Sequence, residues 1–188
     1  MPELYIIAGC NGAGKTTAAY KLLPKVFNTV EFVNADEIAR GLSPYNPNGA
    51  AIQAARIMLE RIEHLLRRNE SFAIETTLSG LTYLGFIKKA EANGYKIIFF
   101  FLYLNSIALA KERVRIRVSK GGHSIPDTVI ERRYRKGLRN LPVYIAEADS
   151  WYIYNNSGSE YEFVAKSIDK KQEISNFDLF RIITKNDK

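Results

Sequence analysis

A chain of 188 residues with 46% hydrophobic and 25% charged side chains is too apolar for a disordered protein, and long enough to bury roughly 70% of its unfolded surface in one core. Its one cysteine, Cys10, excludes an intramolecular disulfide, which fits a reducing compartment, and no stretch resembles a membrane span. The net charge of +7 is concentrated: Lys111 to Arg139 carries ten Lys or Arg against three acids, so the rest of the chain sums to zero. That density implies either a polyanionic partner, such as a nucleotide or nucleic acid, or a solvated helical face.

Met1 to Gly9 is too short and too acidic for a signal peptide, so a cytoplasmic protein is expected, with residues 1–188 as a single domain and no linker. "ELYIIAG" predicts a first strand running into a Gly-rich loop, then a helix that ends near Pro24. "TVEFVNA" predicts a second strand. Apolar residues at Ile52, Ala55, Leu59, Ile62 and Leu66 follow the spacing of an amphipathic helix. "SFAIETT" predicts a third strand, and "LTYLGFIKKAEANG" a helix capped by Gly94. The unbroken apolar run "YKIIFFFLYL" has the character of a strand covered on both faces of a parallel sheet. Two basic helices separated by "KGGHSIPD" come next, then "SWYIYNN" and "YEFVAKSI" as late strands and a weakly amphipathic C-terminal segment. Alternating strands and helices predict an α/β doubly wound sheet of about five mainly parallel strands.

Gly9-Cys10-Asn11-Gly12-Ala13-Gly14-Lys15-Thr16 satisfies the P-loop pattern GxxxxGK[ST] between a strand and a helix. Its glycines let successive N–H groups face phosphate oxygens, and the helix N-terminus adds a favourable dipole. Lys15 is expected at the terminal phosphates of ATP, the Thr16 hydroxyl at Mg²⁺ and Thr17 at the inner phosphate. Cys10 is either a reactive thiol or a filler at a variable position.

The strand "YKIIFFFLYL" ends in Asn105 rather than the acid that motors and GTPases place there, and no NKxD pattern is present. The chemistry therefore points to a small kinase with its acids on other strands. Asp36 and Glu75 each follow a strand end, where open α/β sheets bind ligands. Asp36 is either the base for an acceptor hydroxyl or an acid in a helix's first turn, with Asn34 placed to cap that helix. Glu75 is a second candidate for that base, or else a cap or a partner of Mg²⁺-bound water. Arg113 and Arg117, four apart on one helix, share a face and can clamp ATP phosphates with Arg133 from beyond the Gly121-Gly122 hinge, while Arg115 points elsewhere. His123 either titrates or makes a loop hydrogen bond.

These residues resemble the zeta toxin family of P-loop kinases. "GCNGAGKTT", "VNADEIARG", "FAIETTLSG", "RIRVSKGGHSIP", "RRYRKGLRNL" and "ADSWYIYNNS" occur in the order of its shorter, single-domain members. The resemblance implies an adenylate-kinase-like core with a basic helical lid over about 111–139. It also implies transfer of the γ-phosphate of ATP, with Mg²⁺, to a small anionic acceptor, UDP-N-acetylglucosamine. By the same resemblance Lys15 and Thr16 serve phosphate and metal, Asp36 is the general base, Glu75 and Thr76 hold the acceptor, and Arg117 and Arg133 are the lid arginines. A separate antitoxin protein is the partner it brings into view. Two alternatives remain: a kinase of a nucleic-acid end or dinucleotide, ranked lower because Tyr134 is the basic segment's one aromatic, and an interaction module that binds ATP without transferring phosphate.

Overall fold

The computed structural model describes residues 1–185 except Pro24, Val26, Asn28 and His123, so the expectations for His123 and for a helix end at Pro24 lie outside the described residues. Strand β1 (Glu3–Gly9) lies between β3 (Phe72–Thr76) and β4 (Lys96–Tyr103), all parallel. β2 (Phe32–Val33) pairs with the outer side of β3, and β5 (Ser150–Asn155) with the outer side of β4, both parallel. β6 (Glu162–Ile168) and β7 (Lys171–Ile174) extend that side antiparallel, so the sheet order is β2-β3-β1-β4-β5-β6-β7. The five parallel strands form the doubly wound core expected from the sequence. The chain reverses direction across the sheet at β1, which opens a crevice beside its C-terminal end.

Alternate residues of β1 serve two cores. Leu4, Ile6 and Ala8 join the larger one, covered by α3 (Ala51–Arg68), α4 (Thr82–Ala92), α6 (Asp127–Ala146) and α7 (Phe177–Thr184). Tyr5 and Ile7 point to the other face, where α1 (Lys15–Leu22) brings Ala19 and the following loop adds Leu23 and Phe27. α1 does not cover this face completely. Ile98 and Phe100 of β4 stay only partly buried, so β4 is less enclosed than its unbroken apolar run predicts.

Local chemistry explains the other departures from expectation. The second strand shrinks to two residues because Asn34, just beyond it, turns its side chain to cap α2 (Ala35–Leu42), accepting from the N–H groups of Asp36 at 2.8 Å and Glu37 at 3.4 Å. The buried stripe of α3 is Ala54, Met58, Ile62, Leu65 and Leu66, rotated from the expected face. Ile52 is left 75% exposed, and Ala55 and Leu59 face a cavity. β7 was not expected: its polar sequence KQEI suits an exposed sheet edge, and Asp169 and Lys170, at φ 49° and 67°, make the tight turn that joins it to β6. The two basic helices, α5 (Ile107–Ser119) and α6, pack against each other over the P-loop side of the crevice.

Candidate active site

The phosphate cradle follows from β1 meeting α1 through a glycine-rich loop. Gly12 and Gly14 take φ values of 82° and 87°, which side chains rarely adopt, and a Cβ on Gly12 would lie 2.8 Å from the Ala110 carbonyl of α5. The loop encloses a cavity of about 240 Å³ lined by Asn11, Gly12, Gly14, Lys15, Thr16 and Thr17, with Asp36, Glu75, Arg113 and Arg117 opposite. Gly9 and Ala13, also expected among the ATP contacts, are packed against neighbouring parts of the chain within the same loop. Gly9 is pressed against the Leu102 carbonyl, and Ala13 is buried with its carbonyl accepting from Asn156 Nδ2 at 2.9 Å.

Glu75 ties this cradle to its neighbours. In the β1–β3 register Ile7 pairs with Glu75 and Ala8 with Thr76, and Val33 of β2 pairs with Ile74, so Asn34 arrives level with Glu75. Glu75 Oε2 accepts from Thr16 Oγ1 at 2.7 Å and Asn34 Nδ2 at 2.9 Å, while Lys15 Nζ lies 3.4 Å from Oε1 and donates to the Cys10 carbonyl at 3.0 Å. Charge-assisted bonds of this kind contribute about 1.5–3 kcal/mol each. The carboxylate thus holds Lys15 ready and fixes the start of α2. A hydroxyl and two carboxylates around one phosphate-sized cavity also suit Mg²⁺, which takes few protein oxygens and completes its shell from phosphate and water.

A second cavity, of about 400 Å³, opens on the other side of Asp36. It shares Asn11, Lys15, Asp36 and Glu75 with the cradle and adds Thr76, Thr77, Ser79, Tyr83 and Arg133. Asp36, in the first turn of α2, stands exposed on the wall common to both. Its carboxylate contributes to holding the Tyr83 hydroxyl protonated, after the larger effect of burial. Arg133 of α6 reaches in and donates to Asn11 Oδ1 at 3.4 Å. Thr76 Oγ1 accepts from the N–H of Leu78 at 3.1 Å and starts the loop that walls the cavity.

Arg113 and Arg117 both line the cradle, on the shared face that their spacing predicts. Arg113 also donates to the carbonyls of Ser157 and Gly158, each at 3.3 Å. Arg115 faces away and pairs with Asp127 at 2.8 Å. Lys111 lies 3.4 Å from Glu131, and Arg135 pairs with Glu131 at 3.0 Å. The +7 segment is therefore divided: on one side Lys111, Arg115 and Arg135 pair with Asp127 and Glu131 within and between α5 and α6, and on the other Arg113 and Arg117 face the cradle. Arg132 is exposed and lines neither cavity.

Residues 1–166 match the family model described as Zeta toxin. The chain belongs to the zeta toxin family. An uncharacterized protein of Haemophilus influenzae is 31% identical over 129 residues, 67% of this chain and 88% of that one. Among solved structures, a chain of the AvrRxo1-ORF1:AvrRxo1-ORF2 complex with sulphate ions gives a TM-score of 0.81 at 17% identity, covering 100% of this chain, and the complex with ATP gives 0.78. This chain spans 65% of that matched chain. A chain of the PezAT toxin–antitoxin system of Streptococcus pneumoniae gives 0.66 at 14% identity, over 97% of this chain and 78% of that one. At these identities the likeness is one of fold, and the fold is that of a zeta-toxin-like P-loop kinase.

The stretch matched to the zeta toxin family contains every residue of both cavities and ends within β6. Several residues that shape the site carried no expectation. Asn156 and the carbonyls of Ser157 and Gly158 lie in the loop after β5, where their readable signal was only a polar run at the C-terminal end of a parallel strand. Arg40 and Lys120 join Arg113 and Arg117 around a further cavity of about 440 Å³ beside the cradle. Cys10 is buried, and burial pushes its thiol up to about 11, against the smaller pull of Lys15 and Arg113, so the filler reading is the one its surroundings favour.

Proposed function

We propose that this protein is a phosphotransferase that moves the γ-phosphate of ATP, with Mg²⁺, to a hydroxyl of a small anionic acceptor, with UDP-N-acetylglucosamine the first candidate. The observation that carries the reading is the position of Asp36 on the wall common to the cradle and the second cavity. An acceptor in the Thr76 cavity would present its hydroxyl to the γ-phosphate across that wall, and Asp36 would take its proton as the new P–O bond forms and the bond to ADP breaks. The loop N–H groups and Lys15 hold the phosphates, and Arg113, Arg117 and Arg133 meet the charge that spreads over the transferring group. Magnesium, held by Thr16 with Glu75 beside it, would supply neutralising charge at the phosphate oxygens. Residues 111–139 act as the lid of a single kinase domain that spans the chain.

Family membership, the ATP-bound neighbour and the match to a toxin–antitoxin system support ATP use and a separate antitoxin partner. The cations paired inside the lid leave fewer free for a nucleic-acid backbone, which favours the small acceptor. The test incubates the pure protein with labelled ATP and UDP-N-acetylglucosamine, beside a cell metabolite extract. The expected result is a phosphorylated sugar nucleotide, and Asp36→Asn lowers transfer by about 10²–10⁴-fold with ATP affinity retained. A folded, ATP-binding protein that transfers phosphate to nothing in the extract refutes the proposal. A module that only binds ATP would instead show no functional change in Asp36→Asn.

A further inference from the structure

The loop between β3 and α4 walls the acceptor cavity with Thr77, Ser79 and Gly80, and its backbone is unusual at the centre. Leu78 is fully buried at φ 55°, in the left-handed region where a leucine is rarely found. Such a conformation persists only where the surroundings over-determine it. The surroundings here are one stripe of α6. A Cβ on Gly137 would lie 2.6 Å from the Thr77 carbonyl, so only glycine lets the helix come this close. Asn140 Nδ2 donates to the Leu78 carbonyl at 2.7 Å, and Tyr144 Oη donates to the Gly80 carbonyl at 2.8 Å. Steps of three and four put these residues on one helical face, in line with Arg133, which touches Asn11 of the P-loop. With its carbonyls turned to α6, the loop directs the Thr77 and Ser79 side chains, 3.1 Å apart at their hydroxyls, to the cavity.

We propose that α6 is the template of the acceptor cavity, with Asn140 and Tyr144 as positioning residues that hold the 77–80 loop so that its hydroxyls meet a polyhydroxylated acceptor. The inference rests on the reading that this cavity holds the acceptor. It adds that specificity is set by a helix whose residues Asn140 and Tyr144 do not line the cavity. The one rigid element also spans both substrates: Arg133 and Tyr144 are separated by about 16 Å of helix rise. Loss of either positioning bond should loosen the acceptor wall and leave the ATP side as it was.

The test uses Asn140→Asp, which keeps shape but replaces the donor with an acceptor facing the Leu78 carbonyl, and Tyr144→Phe, which removes only the hydroxyl. Hydrogen exchange followed by mass spectrometry should show the 77–81 amides of each variant exchanging about tenfold faster, with the 9–17 loop unchanged. Kinetics are run with labelled ATP while UDP-N-acetylglucosamine, and in parallel the small-molecule fraction of a bacterial extract, is titrated as acceptor. The half-saturating acceptor level should rise about tenfold in each variant, with kcat within about twofold and the KM for ATP unchanged. Unchanged loop exchange overturns the inference. Faster loop exchange with an unmoved acceptor dependence also overturns it, because the bonds would then be structural alone. If the wild-type protein transfers phosphate to neither acceptor source, the proposed function itself falls and takes this inference with it, an outcome separable from the others because it appears without any substitution.

Discussion

The cradle and the cavity proposed for the acceptor share four residues, yet they are made in opposite ways. The cradle comes largely from one unbroken run, Asn11 to Thr17, and much of what it offers is backbone N–H. The second cavity is made of side chains from the ends of β2 and β3, from Ala55, Met58 and Leu59 of α3, from Thr82 and Tyr83 of α4 and from Arg133 of α6. A contiguous backbone site can be reused wherever a strand, a glycine loop and a helix meet, and it says only that phosphate is bound. A site assembled from distant elements can change one side chain at a time. The difference teaches that the generic half of the chemistry is local in sequence and the specific half is not.

The largest effect that would break this division comes from the shared wall. Lys15→Ala removes the one ammonium buried in the cradle, at 6% exposure, and should lower transfer by about 10²–10³-fold in a labelled-ATP assay. ATP affinity should fall with it, and the loss of the Lys15 bonds to Glu75 and the Cys10 carbonyl should lower the thermal midpoint by several degrees. A loss of transfer with unaltered ATP affinity would remove Lys15 from phosphate binding. Glu75→Gln is the sharper probe, since the carboxylate accepts from Thr16 and Asn34 and pairs with Lys15. An amide has one acceptor oxygen and turns N–H groups toward groups that also donate. Titrations of both substrates should show ATP and acceptor affinities weakened together, each by about tenfold. A change confined to one substrate would mean that Glu75 belongs to one cavity and not to the wall.

Legibility in the sequence followed the same division. The P-loop could be read because strand, glycines, Lys15 and Thr16 lie within one stretch, and the parallel strands because their apolar runs are bounded by turns. Asp36 could be placed at a strand end but its two-sided position could not, since that depends on β2 stopping at Val33 and Asn34 capping α2. Asn140 and Tyr144 gave no signal: their partners are backbone carbonyls 62 and 64 residues away, and a carbonyl leaves no trace in the residue type that carries it. The basic segment was visible as a sum, but its division needed the packing of α5 on α6, which sets Asp127 and Glu131 against Lys111 and Arg115. β7 escaped because an exposed edge strand need not be apolar.

That division of the basic segment yields a smaller effect. Arg117→Ala, on the cradle face, should cost about 10–10²-fold in transfer, whereas Arg115→Ala, 70% exposed and paired with Asp127, should change transfer by less than about twofold and stability by about 0–1 kcal/mol. Initial rates and urea midpoints for the two variants check this side by side. Equal losses of transfer would mean that the lid acts through its summed charge, and the separation of its faces would have no functional content.

The smallest effect concerns Cys10, which lies inside the P-loop yet belongs to the protein's interior. Burial raises the thiol from its ordinary 9.0 to about 11, so the folded chain keeps this proton at pH values where the unfolded chain releases it. Where the unfolded state binds fewer protons, stability falls as pH rises. The contribution is therefore complete below pH 9 and is lost as pH climbs toward 11. Tyrosines titrate in the same window, so the measurement is a difference: urea midpoints of the wild type and Cys10→Ala at pH 7, 9 and 10.5. A constant offset from the lost sulfur should hold up to about pH 9, and the wild type should then lose stability faster than the variant. At pH 7.5 thiol alkylation should be slow, and Cys10→Ala should leave transfer within about twofold. Rapid alkylation that ATP prevents would instead put the thiol on the ligand side of the loop, against the geometry that buries Cys10 in the interior and leaves it off the cradle wall.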